Sequence, residues 1–451
     1  MIGKSDYEAL CQHLFYDTSN EQVAFLLAGV GETIHALRLL VREVIPVPEE
    51  SFQSKSYGGF RIDPDFIMRI LKRAKVQNLS ILLVHSHPFS DMAVTFSGVD
   101  DCGESLLMPK ALERVPNRPH GAMVFGLSSL DARVWLRDSN HSEPVDLVKV
   151  VGNTIEEVHP TGAHAPVTTE LKEIHDRQIL AIGEAGQRLI QRTRVGIVGL
   201  GGTGSQVFQH LAHLGVSNLI LVDDDTIEES NLSRVVGSTP EDAQKKRLKL
   251  EVMERLGKSI NSSIKIVPVI DSVCNASAAL KLRDVDVIFC CTDNLTSRMV
   301  LNRMAFQYLT PVIDLGIDIR CNAHGGVESV AGRVMTILPD GPCLECMSIL
   351  DANVLSEEAA QRDSGHGYIM GARIQNPSVI SLNGVVASLA ATEFIRLLTG
   401  FATGEDATYQ LYLPLRGIVR KEKMTPAKKC TLCKEVRALG DGVSLPCNLN
   451  R

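Results

Sequence analysis

The chain has 451 residues, enough for two or three domains, and its 44% hydrophobic content is ample for real cores. Its 46 basic and 53 acidic residues leave a formal charge of −7 without a long basic stripe, which argues against nucleic acid as a partner. No uninterrupted apolar run of 18 residues and no signal peptide is legible, because the opening "MIGKSDYEALCQHLF" is amphipathic. The expectation is a cytoplasmic protein without membrane contact.

Residues 1–140 alternate strand and helix patterns and are read as a first domain. Within them, "SILLVHSH" predicts a buried strand ending at Pro88, which cannot donate to a ladder. Side chains alternate faces along a strand, so His85 and His87 share one. With Asp100 a short loop later, they form a three-donor set of the kind a catalytic zinc uses, its fourth position left to water. The competing reading is two strand-end histidines satisfied by ordinary hydrogen bonds. Residues 141–170 mix prolines and polar residues and read as a linker with at most one short element.

A second, larger α/β unit is expected over 171–451. "VGIVGL" predicts a buried strand, "GGTGS" a glycine turn, "SQVFQHLAHLG" a helix stopped by Gly215, and "NLILVDDD" the next strand. Gly199, Gly201, Gly202, Gly204 and Ser205 thus form a turn at a helix N-terminus, where backbone N–H groups and the helix dipole favour phosphate. Asp223, at the end of the next strand, suits ribose hydroxyls. A nicotinamide dinucleotide is the usual reading of such a turn. Yet Asp225, Asn231, Arg234, Lys249, Asp293 and Asn294 follow, and cations plus an acidic Mg²⁺ ligand suit a triphosphate better. Cys343-x-x-Cys346 and Cys430-x-x-Cys433 are two knuckles far apart in sequence, read as one structural zinc site; redox pairs or chance spacing are the alternatives.

Two resemblances follow from these motifs. HSHP with S-x-x-D, preceded by "EQVAFLLAG", resembles the JAB (JAMM) metallopeptidases, which cleave bonds after ubiquitin-like proteins. The resemblance covers roughly residues 5–140, and implies a JAB/MPN α/β domain. It implies His85, His87 and Asp100 as zinc ligands, Glu21 as the proton carrier and Ser97 as an oxyanion partner. Ala24 stands where glycine is usual. Nine residues separate His87 from Ser97, two more than is usual there; the loop either bulges or displaces Ser97 and Asp100.

The second half resembles the ThiF/MoeB and ubiquitin-activating superfamily. "HDRQ", GxGGxGS, D-x-D with N-x-x-R, a helical lysine, T-D-N-x-x-x-R and GPCxxC with a distal CxxC occur in the family's order over about 171–435. This implies a Rossmann-like adenylation domain using ATP and Mg²⁺, with a Cys₄ zinc clip. Gly199 to Ser205 would wrap ATP, Asp223 would hold the ribose with Asp225 also in the nucleotide site, Asn231, Arg234 and Lys249 would sit on the phosphates, and Asp293, beside Asn294, would hold Mg²⁺. Arg177 would reach across a homodimer into the neighbour's site. The partner implied is a ubiquitin-like protein, with a conjugating enzyme as a further candidate.

No cysteine lies between Met347 and Lys429, where many activating enzymes carry an acyl acceptor. The reaction then stops at the adenylate, uses Ser348, Ser356 or Ser364, or relies on a partner's nucleophile. Three readings stay open: a bifunctional activating and deconjugating enzyme, a sulfur-carrier adenylyltransferase with a processing peptidase, or an adenylyltransferase whose first domain is a binding scaffold.

Overall fold

Hydrophobic residues at strand spacing build two separate sheet systems. The structure is a computed structural model, which describes all residues except 138–140, 165–169, 172, 323, 325, 364–376, 402–407, 429 and 448–451. Two units result. The first comprises Met1–Val167, Gln307–Leu309 and Val436–Val443; the second comprises Thr168–Phe306, Thr310–Glu435 and Ser444–Arg451.

The strands of the first unit are β1 (Ile2–Gly3), β2 (Val23–Glu32), β3 (Leu37–Pro46), β4 (Phe52–Ser56), β5 (Gly59–Ile62), β6 (Ser80–Ser86), β7 (His120–Phe125), β8 (Leu130–Trp135), β9 (Ser142–Pro144), β10 (Val148–Val151) and β11 (Ile155–Val158). Its helices are α1 (Lys4–Leu14), α2 (Pro64–Gln77) and α3 (Gly98–Arg114). Among the described residues, the main sheet runs β3-β2-β6-β7-β8-β9, and β1-β10-β11 form a small second sheet. Strand alternation explains how β2 is buried on both sides. Val23, Phe25 and Leu27 enter one core with Phe66, Ile70, Leu107 and Met108 from α2 and α3. Ala24, Leu26 and Ala28 enter the other with Leu10 and Leu14 from α1.

Two expectations are corrected here. The stretch read as a linker carries β9, β10 and β11, which pair into the first unit, so its prolines and polar residues mark strand ends and edges. Residues Val436–Val443, expected to belong with the second half, fold with the first unit. There Val30 bridges Gly440, and a Cβ on Gly29 would sit 2.1 Å from the Ala438 carbonyl oxygen. Glycine at position 29 is therefore required by this close backbone crossing.

The second unit holds β12 (Arg194–Val198), β13 (Asn218–Val222), β14 (Lys265–Val269), β15 (Val287–Cys290), β16 (Val312–Cys321), β17 (Val327–Ile337), β18 (Tyr409–Leu413) and β19 (Ile418–Glu422). Its helices are α4 (Asp176–Arg192), α5 (Gly202–Leu214), α6 (Pro240–Gln244), α7 (Lys249–Ile260), α8 (Ala276–Ala279), α9 (Leu295–Gln307), α10 (Ala352–Asp363), α11 (Ile380–Thr399) and α12 (Thr431–Glu435). The sheet order is β14-β13-β12-β15-β16-β17-β18-β19, parallel from β14 to β16 and antiparallel beyond. Successive strands proceed outward from β12 in one direction, and β15 then starts on its other side. That reversal opens a crevice at the carboxyl ends of β12 and β15, where doubly wound sheets bind ligands.

α11 is long and apolar enough to cross a membrane by length and composition alone. Its buried stripe includes Val386, Ala387, Ala390, Phe394 and Leu397. Its buried Glu393 accepts from Arg396 Nε at 2.7 Å and Gln410 Nε2 at 2.6 Å, as suits the core helix of this unit. Of the serines offered as acyl acceptors, Ser356 lies on α10, whereas Ser364 lies outside the described residues.

Candidate functional sites

In the first unit, β6 ends at Ser86 and the His87 N–H donates to the Phe125 carbonyl at 2.8 Å, extending the pairing by one residue. His85 and His87 face the same way, with their Nε2 atoms 3.2 Å apart. Asp100 Oδ1 lies 3.0 Å from His85 Nε2, and Asp100 Oδ2 lies 3.5 Å from His87 Nε2. Two bonds of about 2.0–2.1 Å in a tetrahedral zinc site put ligand atoms about 3.3 Å apart. The three side chains therefore fit the edges of such a site, and they form one of the clusters able to hold a metal. Glu21, 3% exposed, places Oε1 3.7 Å from His87 Nε2. Burial pushes its carboxyl up to about 7, with His87 opposing and the Asp100 charge adding to the rise. Burial also acts to raise Asp100, but its bonds with His85 and His87 prevail and hold it well below the usual carboxylate range.

The long loop after His87 bulges and does not displace Asp100. The Ser90 N–H returns to the His87 carbonyl at 3.0 Å, and the Ser90 carbonyl accepts from Leu127 at 2.9 Å. Ser129 Oγ accepts from the Val94 N–H at 2.8 Å and donates to Met92 at 2.9 Å. The extra residues are thus taken up against the turn following β7. Ser97 caps α3: its Oγ accepts from Asp100 N–H at 3.3 Å, and Asp100 Oδ2 accepts from Ser97 N–H at 2.6 Å. This capping box orients the carboxylate toward the histidines. Aromatic rings surround the group: Phe89 stacks on His87 with centroids 5.2 Å apart, and Phe60 lies 5.6 Å from His85.

In the second unit, the glycine turn sits at the sheet reversal. Gly199 has φ 87°, and a Cβ on Gly204 would fall 1.9 Å from the Gly199 carbonyl oxygen, so α5 can begin this close to β12 only with glycine. A Cβ on Gly201 would meet nothing within 4 Å, leaving that side of the turn open. Gly202 packs under Arg234, and Ser205 is buried with Oγ accepting from Val236 N–H at 3.2 Å. Asp223 Oδ2 accepts from Leu200 N–H at 2.6 Å and Oδ1 from Asp225 N–H at 2.9 Å. Burial raises Asp223, and Lys249, 3.9 Å away, counters it. Lys249 Nζ also donates to Asp225 at 2.6 Å.

Asn231 is buried and shapes its turn by accepting from Glu228 N–H at 3.2 Å; Arg234 Nη1 donates to Ser230 at 2.7 Å. Asp293 is exposed beside Asn294, whose Oδ1 accepts from Ser297 N–H at 2.8 Å and caps α9. Arg177 is exposed on the first turn of α4, and no described hydrogen bond or ion pair joins it to the other candidates.

Three residues escaped the sequence reading. Asp314, fully buried, accepts from both Arg298 and Arg333 beside the crevice. Asn383 of α11 reaches Gly202, where a Cβ would meet its Nδ2 at 2.3 Å; a polar residue on an apolar helix stripe was the available signal. Glu358 bonds the first turn of α9 across 62 residues of sequence, and no motif announces it.

The four cysteines do converge. Cys343 Sγ is 3.6 Å from Cys346 and 3.5 Å from Cys430, and Cys346 is 3.5 Å from Cys433. Such spacings are far too long for a disulfide but suit a tetrathiolate, whose Zn–S bonds of about 2.3 Å separate sulfurs by about 3.8 Å. A hydrogen bond from Cys433 pulls the Cys343 thiol down to about 5. Of the other cysteines, Cys274, Cys290 and Cys291 are buried, whereas Cys102 and Cys321 are exposed.

Comparison with known proteins agrees with this second-unit geometry. The chain is 30% identical over 262 residues to the molybdopterin-synthase adenylyltransferase of Escherichia coli (strain K12), spanning 57% of this chain and 95% of that protein. It is 29% identical over 231 residues to the SAMP-activating enzyme E1 of Haloferax volcanii, spanning 51% of this chain and 76% of that one. With the sulfur carrier protein ThiS adenylyltransferase of Bacillus subtilis it shares 29% identity over 220 residues, 49% of this chain and 58% of that protein. The ThiF family profile matches residues 175–434, more than half of the sequence, and the chain belongs to the ThiF family.

Proposed function

We propose that the second unit adenylates the C-terminal carboxylate of a ubiquitin-like or sulfur-carrier protein. The carrying observation is the convergence of the open Gly199–Ser205 turn with Asp223, Arg234 and Lys249 around the sheet reversal. A carboxylate oxygen of the carrier attacks the α-phosphorus of ATP, the bond to the bridging oxygen breaks, and diphosphate leaves. Gly201 and the first N–H groups of α5 receive phosphate oxygens, Arg234 and Lys249 balance the charge, and Asp223 takes the ribose hydroxyls. Asp293 is the carboxylate that would hold Mg²⁺, which would supply charge neutralisation for the diphosphate. In a homodimer, exposed Arg177 would serve the neighbouring subunit's nucleotide. Exchange of labelled diphosphate into ATP, dependent on a purified carrier with a free C-terminus, tests this reading; no exchange with any carrier of this class would sink it.

For the first unit we infer a JAMM-type zinc peptidase that trims or removes the same carriers. What favours it over a scaffold is that Asp100 keeps its place against both histidines despite the longer loop. Zinc, when bound, supplies Lewis acidity at the scissile carbonyl. His85, His87 and Asp100 would hold it, Glu21 would take the proton of the attacking water and deliver it to the leaving amine, and Ser97 would serve the oxyanion. Cleavage of a carrier–peptide fusion by the zinc-loaded protein is the test. The Cys343, Cys346, Cys430 and Cys433 cluster would hold a second, structural zinc. A conjugating enzyme is a further partner on this reading, and the cytoplasm its setting.

A further inference from the structure

The first turn of α9 is held by a residue that neither motif contains. Glu358, on α10, accepts from Leu295 N–H at 2.9 Å, Thr296 N–H at 2.8 Å and Thr296 Oγ1 at 2.5 Å. A helix leaves its first N–H groups without intrahelical partners, and a carboxylate there also meets the positive end of the helix dipole. Asn294 takes the next N–H, that of Ser297. Between them, Glu358 and Asn294 satisfy the opening donors of this helix.

On the other side of the turn, Arg298 Nη2 donates to the Thr292 carbonyl at 2.7 Å while its guanidinium also pairs with buried Asp314. Asp293 therefore stands between two clamped points. Thr292 is held by Arg298 from within α9, and Leu295 is held by Glu358 from a segment 63 residues further along. The Asp293 side chain itself is exposed at the crevice end of β15.

The geometry points to Glu358 as a positioning residue for nucleotide binding: by fixing the N-terminus of α9 it sets the Asp293 carboxylate for magnesium, and so couples α10 to the nucleotide site. This rests on the adenylation reading above and on Asp293 as the magnesium-facing group. Charge-assisted bonds to a carboxylate are roughly twice as strong as neutral ones. Losing them should free Asp293 to wander and weaken magnesium-dependent binding more than it weakens the fold.

The test is binding of a fluorescent ATP analogue to the full chain across a magnesium titration. Glu358→Ala should raise the half-saturating magnesium concentration about tenfold or more, as expected for roughly one lost charge-assisted bond. Glu358→Gln, which keeps an acceptor but not the charge, should fall in between. Glu357→Ala, at an exposed neighbour, should match wild type. A merely structural role would lower the melting temperature without moving the magnesium midpoint. If wild type binds and both Glu358 variants titrate like it, the positioning role is overturned while the adenylation reading stands. If wild type itself shows no magnesium-dependent binding, both fall together.

Discussion

In the first unit, His85, His87 and Asp100 offer two nitrogens and an oxygen around one point, with the Glu21 carboxyl 3.7 Å from His87 Nε2. In the second unit, Cys343, Cys346, Cys430 and Cys433 offer four sulfurs and close their own coordination shell. The first set is carried by a strand end and a capped helix that pack into a continuous core, so its geometry does not wait for an ion. The second joins two short knuckles whose cysteines lie 87 residues apart, the first also held by the Leu344 N–H donating to Asn302 Oδ1 at 2.9 Å. Three donors plus a nearby proton carrier suit chemistry, whereas four soft donors suit a clip.

The sharpest way to break that comparison is to remove one donor from each set. His87→Ala should cut cleavage of a carrier–peptide fusion by more than about a hundredfold, since even groups behind metal ligands cost 10–100-fold. It should leave diphosphate exchange intact. Asp293→Ala should do the reverse, abolishing exchange and sparing cleavage. Loss of both activities in either variant would mean that the two sites do not act separately.

Cys346→Ser should act on stability instead. Removing one of four thiolates should release one zinc per chain, read by elemental analysis, and lower the stability of the second unit by on the order of 3 kcal/mol. Unchanged melting with a lost zinc would show that the knuckles are not a clip.

A contrast in pH response sharpens the picture of the first unit. His120 is fully buried; its Nδ1 accepts from Ile81 N–H at 3.0 Å, and its Nε2 lies 3.3 Å from the Val115 carbonyl. Burial lowers its pKa from 6.5 to about 4. The unfolded chain therefore binds this proton first as pH falls. The associated stability is intact above about pH 6.5, is lost progressively toward pH 4, and amounts to about 3 kcal/mol at most. His120→Gln should flatten denaturant-unfolding stability across that window relative to wild type; an identical slope would refute the assignment.

The smallest expected effect is a null one. Burial raises the Cys290 thiol to about 12 and Cys291 well above its ordinary value, which leaves neither as a useful nucleophile. With ATP and carrier, a denaturing gel should show no thiol-cleaved adduct on Cys290 or Cys291. A thiol-labile band lost in Cys291→Ser would overturn this.

By itself the sequence determined the local placement of the candidate site residues. Strand periodicity set His85 and His87 on one face, because alternation is a local property of extended backbone. The glycine turn, Asp223 and Lys249 were legible for a similar reason: a strand, turn and helix of fixed short lengths leave few geometries. The cysteine pairs could be matched because no other donors compete for so soft a site. What only the tertiary structure decided depends on contacts between distant segments. Whether the long loop displaced Asp100 was settled by Ser90 and Ser129 bonding it aside. Residues 141–170 looked like a linker because edge strands carry prolines and polar side chains, and only pairing partners make them strands. Val436–Val443 returned to the first unit through a backbone crossing at Gly29, and Glu358 reached α9 through three hydrogen bonds. Such closures leave no periodicity, since the free energy that drives them lies in a partner far along the chain.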